Sequence, residues 1–155
     1  MLSRHLDELE GTTERAAWMG VLARATVEAL ERLWRAHGTG ASPPPLRAPE
    51  TGLVMVRGRA GGTGDRFNLG EMTVTRCAVD GGEGRIGHGY VRGRSKRHAL
   101  LAASFDALLQ DPTRREALLT DVIAPLQATE AERRRRIAAK AAATRVEFFT
   151  MVRGQ

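Results

Sequence analysis

The chain of 155 residues has one cysteine, Cys77, one tyrosine and only 5% aromatics. A single thiol cannot close an internal disulfide. With no second cysteine or nearby histidine at ligand spacing it cannot anchor zinc, nor can it hold an iron–sulfur cluster, which needs several thiolates. Cys77 therefore reads as a small, buried strand residue. The scarcity of aromatics excludes a base-stacking platform of the RNA-recognition kind. No apolar run approaches the roughly 18 residues that cross a bilayer. The start, MLSRHLDELEGTTE, lacks the apolar stretch of a signal peptide, so a cytoplasmic protein without membrane contact is expected. No Ser-His-acid constellation stands out, and no catalytic or metal-binding residue is assigned. His98 reads as a partly buried helix residue, and His88 has no identifiable partner for a site.

What is abundant is glycine, with 17 residues, and positive charge, with a net +6. The charge is unevenly spread: −1 over residues 1–56, +5 over 57–97, −2 over 98–129 and +4 over 130–155. Such clustering fits a polyanionic ligand or an acidic partner surface, and equally a solvated basic face.

Hydrophobic periodicity divides the chain into elements. Residues 1–12 read as a frayed, flexible start, and 13–155 as a single domain. Thr13 can cap a helix from Glu14, and the stripe Trp18, Val21, Leu22, Ala25, Ala29, Leu30, Leu33, Trp34 runs to about His37. Thr26 also reads as a cap, so one bent helix or two short ones fit. Both tryptophans lie on the stripe and are expected in the core. GTGASPPPLRAPETG, residues 38–52, reads as a linker within the domain. Strands are expected over 53–59, 71–79 and 85–93, with short, antiparallel links. In the third, Gly87, Gly89, Val91 and Gly93 share one face, which invites close approach of a helix or another backbone. Ser95 caps a helix to about Gln110, which reads as the central buried one, and Asp111-Pro112 opens the next, disturbed near Pro125. TEAE at 129–132 reads as a capping box that opens a polar, arginine-rich helix to about Arg145. The ending RVEFFTMVRG reads as a strand with two apolar faces. The expected fold is α+β: an antiparallel sheet of about three to four strands with flanking helices, a helical N-terminus, and a C-terminal helix and strand.

RAGGTGDRF, residues 59–67, suggests a phosphate loop at first sight. A Walker loop requires Lys-Ser or Lys-Thr after its last glycine and then a helix, whereas Asp65-Arg66-Phe67 and a strand follow here. A dinucleotide fingerprint also requires a following helix. Turn chemistry is the simpler account, with Gly61, Gly62 and Gly64 supplying positive backbone dihedrals. Arg59 and Arg66 can still present charge to an anion or a partner.

Taken in order, PETGLV (49–54), RAGGTGDRF (59–67), TVTRCAV (73–79), GYVRGRSKRHA (89–99), IAPL (123–126) and TRVEFFTMVRG (144–154) resemble the G subunit of the bacterial carbon–phosphorus lyase complex. The resemblance runs from about Glu14 to Gly154, and GGTGDRF with the terminal FFTMVRG is its most specific part. It implies a non-catalytic but required subunit of a phosphonate-catabolising core complex that also holds the H, I and J subunits. With H, I and the L subunit, such a chain supports replacement of the adenine of ATP by methylphosphonate, giving ribose 1-methylphosphonate 5-triphosphate. The resemblance places the nucleosidase chemistry on I; the complex uses ATP, and this subunit alone is expected to bind no cofactor. The polar C-terminal helix and the residues Val146, Phe148, Phe149, Met151, Val152 and Arg153 are expected to meet the I subunit. Nucleic acid is not an expected partner, and a free-standing basic nucleic-acid-binding protein is the alternative reading. An independent phosphotransferase is a third.

Overall fold

An alanine-rich helix lies at the centre of the molecule, held against a glycine-faced strand. The computed structural model describes the backbone of residues 2–144 and the side chains of residues 13–144. Helices α1 (Leu2–Arg24) and α2 (Val27–His37) precede strands β1 (Pro45–Arg59), β2 (Arg66–Asp80) and β3 (Ile86–Arg92). Helices α3 (Lys96–Leu109), α4 (Pro112–Leu118) and α5 (Ala124–Ala143) follow. The strands form one antiparallel sheet in the order β1-β2-β3. The α+β architecture with flanking helices is thus the expected one. Its C-terminal strand falls outside the described residues.

The centre follows from small residues. On β3 the buried positions are Gly87, Gly89 and Val91, alternating with exposed Ile86, His88, Tyr90 and Arg92. A methyl group built on Gly89 would run into the carbonyl oxygen of Ala99, and one on Gly87 into that of Ala103 and to within 2.7 Å of Ala107 Cβ. Glycine on the strand and alanine on the helix let the two backbones nearly touch. From α3 the side chains of Ala99, Leu101, Ala102, Ala103, Phe105, Ala107 and Leu109 are all buried. Its other side packs on α1 and α2, where Trp18 and Trp34 enter the core as their stripe requires. Trp34 meets the Phe105 ring edge-on at 5.1 Å, a favoured aromatic geometry.

Capping follows the sequence in three places. Thr26 Oγ1 accepts from Ala29 N at 3.2 Å and starts α2, which resolves the stripe into two helices. Ser95 Oγ accepts from His98 N at 3.1 Å, and Asp111 Oδ1 from Thr113 N at 2.9 Å with Pro112 following. The two Thr113 hydrogen bonds, from hydroxyl and backbone, hold the Asp111 carboxyl below its usual range. His98 is buried and donates from Nε2 to Leu22 O at 2.9 Å, tying α3 to α1.

Four expectations are corrected. Helix α1 begins at Leu2, so Thr13 lies inside it and does not mark a helix start at Glu14. The proline-rich linker is shorter than 38–52, because β1 already begins at Pro45. Its pairing shifts register between Arg47 and Glu50, which leaves Pro49 off the ladder, and an edge strand tolerates prolines whose missing donor would face solvent. Thr129 opens no helix: it lies within α5, its hydroxyl donates to Pro125 O at 3.0 Å, and Glu132, the acid that would close the box, takes Arg135 at 2.8 Å instead. Pro125 ends no helix either. A π-helical turn over Leu119–Ile123 joins α4 to α5 with helical dihedrals throughout, and the proline sits in the first turn after it, where its missing N–H is tolerated.

Cys77 is buried on β2, opposite Gly89 of β3, as its sequence context predicted. Burial pushes its thiol up to about 11, against a smaller lowering by the hydrogen bond from the Gly89 backbone. A thiol so raised is almost wholly protonated at pH 8. Ellman's reagent is therefore expected to leave the folded chain unlabelled and to titrate one thiol once guanidinium has unfolded it. Rapid labelling of the native chain would contradict this burial.

Candidate functional site

Strand β3 backs the sheet only from Val74 to Asp80 of β2, so among the described residues the rest of the β1–β2 pair runs on without a third strand. Beyond Gly52 and Val74 the ladder continues through Val54 opposite Met72 and Gly58 opposite Phe67 to Arg59 opposite Arg66. Alternation puts Leu53 and Met55 on one face of this arm and Val54 and Val56 on the other. Leu53 is 62% exposed, Met55 53%, Phe67 45% and Leu69 65%. The Phe67 ring lies over Gly58, 3.7 Å from where its Cβ would be, and covers the bare backbone there. A register shift between Val56 and Arg57 skips Leu69 and turns the last rows of the arm.

The loop RAGGTGDRF is the tip of this arm. Residues 60–62 form one tight helical turn, with Gly61 and Gly62 at φ of 58° and 82°. Gly64 differs from the expectation: its φ is not positive, and it is glycine for space, since a Cβ there would stand 2.7 Å from Ala60 O. Gly64 N donates to Ala60 O at 2.8 Å, and Arg59 Nη1 donates to Gly64 O at 3.1 Å, bracing the turn. Arg59 and Arg66 are exposed and face each other across the ladder, an arrangement of like charges that costs stability. Neither they nor Arg57 has a carboxylate within 4.0 Å among the described residues. The structure therefore brings Arg59, Gly61, Gly62, Gly64 and Arg66 together at one tip. Val146, Phe148, Phe149, Met151, Val152 and Arg153 lie outside the described residues.

Elsewhere part of the charge is answered internally, although the exposed Arg92, Arg94 and Lys96 also lack a carboxylate within 4.0 Å among the described residues. Arg76 Nε donates to Glu50 at 2.7 Å on the outer face of the sheet, in a hollow bordered by Tyr90. On α5, Glu130 takes Arg133 at 2.7 Å and Arg134 at 2.9 Å, and Glu132 takes Arg135 at 2.8 Å. Hydrogen bonds from Arg133 and Arg134 bring the Glu130 carboxyl down to about 2. Its contribution to α5 is thus complete above about 4.5 and lost as the pH falls toward about 2. His88 is exposed on the outer face. Among the described residues no group of three or more His, Cys, Asp or Glu could hold a metal ion, and no helix is long and apolar enough to cross a membrane.

Sequence reasoning missed the main buried polar centre. Asp106 on α3 is wholly buried and accepts from Trp18 Nε1 at 2.8 Å, from Arg15 at 2.7 Å and 3.2 Å, and from the His88 backbone N–H at 2.8 Å. Arg15 and Gln110 also donate to Ile86 O, at 2.9 Å and 2.8 Å. One carboxylate thus joins α1, α3 and β3. A lone acid amid the alanines of α3 was the only signal available.

Residues 13–154 match the family described as "Phosphonate metabolism protein PhnG". A relative from Rhizobium meliloti (strain 1021), named alpha-D-ribose 1-methylphosphonate 5-triphosphate synthase subunit PhnG, is 50% identical over 148 residues, which cover 94% of this chain and 92% of the relative. A family match that takes in the glycine-faced strand, the arm and its tip, with half the residues shared along nearly the whole length of that relative, places the chain in the PhnG family of phosphonate metabolism proteins.

Proposed function

We propose that this chain is a non-catalytic but required subunit of a ribose 1-methylphosphonate 5-triphosphate synthase acting in phosphonate catabolism. The observation that carries the reading is the near full-length similarity to a relative named as a subunit of that synthase. In this reading the H, I and L subunits act with it to exchange the adenine of ATP for methylphosphonate, the I subunit performs the chemistry, and J completes the core complex. The chain itself contributes surfaces. Helix α5 is exposed along most of its length, and with residues 145–155 it forms the proposed contact with the I subunit. Arg59 and Arg66, with no carboxylate partner among the described residues, suit an anion, either a carboxylate of a neighbouring chain or a phosphate.

The test is adenine release by the co-expressed subunits, with and without this chain. Release is expected to require it, while the purified chain alone turns over no ATP. Full release in its absence would end the reading, and ATP turnover by the chain alone would favour an independent phosphotransferase.

A further inference from the structure

The arm is an unusual feature for an isolated chain. A two-stranded ribbon is marginal in water unless something packs against it. Among the described residues this one has no third strand beyond its root, and it carries four of their eight exposed large apolar side chains: Leu53, Met55, Phe67 and Leu69. Residues 51–56, TGLVMV, hold neither charge nor proline, the devices by which free edges are usually blunted. Apolar side chains stand on both faces, with Leu53 and Met55 on one and Val54 and Val56 on the other. A flat partner could cover one face only. The tip then changes character, with Arg57, Arg59 and Arg66 exposed and free of any carboxylate among the described residues.

We propose that the β1–β2 arm inserts into an apolar cleft on a different subunit of the synthase, whose far end presents carboxylates to Arg57, Arg59 and Arg66. Apolar walls match both faces of the ribbon, and acidic groups at the end offset the repulsion between Arg59 and Arg66. A second copy of this chain fits less well. Pairing along β1 would cover the edge but leave the faces wet, and two tips of the same sign would repel. A free phosphate would satisfy the arginines but leave the apolar shaft exposed. This inference rests on the subunit reading above.

The experiment uses the full chain, affinity-tagged and co-expressed with the other synthase subunits. Leu53→Asp combined with Leu69→Asp puts charge on the shaft at exposed positions. Retention of the partner subunit is expected to fall about 30-fold, the loss of a central hot spot. Arg57→Glu with Arg66→Glu should weaken retention about tenfold and flatten its dependence on salt. In an otherwise unaltered chain, a photoreactive residue at Met55 should cross-link to a different subunit. That measurement does not depend on how the double variants fold. Undiminished retention by the shaft variant, or cross-links only to a second copy, would overturn the arm inference and leave the subunit reading intact. Failure of the wild-type chain to retain any subunit would overturn both.

Discussion

Replacing Asp106 by alanine is expected to lower the stability of the chain by about 3–5 kcal/mol, the loss typical of a broken buried ion pair. The expectation follows from what the substitution strands. Trp18 Nε1 and the His88 N–H would lose their acceptor in a buried setting, and Arg15 would be left with the Ile86 carbonyl alone. Each orphaned donor costs about 1–3 kcal/mol. For a chain of this size the midpoint of thermal unfolding should drop by on the order of 10 °C. Asp106→Asn keeps the shape and one acceptor but not the charge, so it should fall between alanine and wild type. A melting curve for Asp106→Ala that overlays the wild-type curve would show that the network holds nothing together.

The second large effect is expected at Gly89. Its alanine variant has to place a methyl group where the Ala99 carbonyl already stands, so strand and helix must separate. Overpacking typically costs about 1–3 kcal/mol, and a backbone collision lies at or above the upper end of that range. The separation would also loosen Cys77, which faces Gly89 across the ladder. The Gly89→Ala chain should therefore expose its thiol to Ellman's reagent under conditions in which the wild-type thiol is silent. Gly52→Ala is the control, because nothing lies within 4 Å of a Cβ built there. Equal stability of the two variants would refute the close packing of β3 on α3.

Both effects bear on what a reader of the sequence could and could not see. The glycines of β3 announced themselves, because Gly87 and Gly89 on one face have a meaning that depends only on alternation, whereas Gly93, read with them, lies beyond the strand at a φ of 95° with nothing within 4 Å of where its Cβ would be. The caps at Thr26, Ser95 and Asp111 were equally plain, being local hydrogen bonds between near neighbours. Asp106 was not legible, because its partners lie 91, 88 and 18 residues away and nothing local names them. TEAE misled for a related reason: the same four letters serve as a start signal or as a mid-helix salt-bridge site, and only the chain before Thr129 decides. β1 was read too short because prolines argue against a strand unless its edge is free, which is a property of the sheet. The tip of the arm was visible as a turn, but its shaft was not visible as an exposed surface. Alternating apolar residues look alike whether or not a third strand covers them.

The Asp106 carboxylate, with Arg15 and Gln110, also occupies the outer rim of β3 at Ile86 and His88, since it takes the His88 N–H while they take the Ile86 carbonyl. Two backbone groups of β3 are therefore taken from within the chain, which blunts that rim for strand pairing, whereas among the described residues β1 pairs on one side only. The buried acid that fastens the helices to the sheet thereby also guards its rim: a strand added past β3 would first have to break the network that ties α1 and α3 to the sheet.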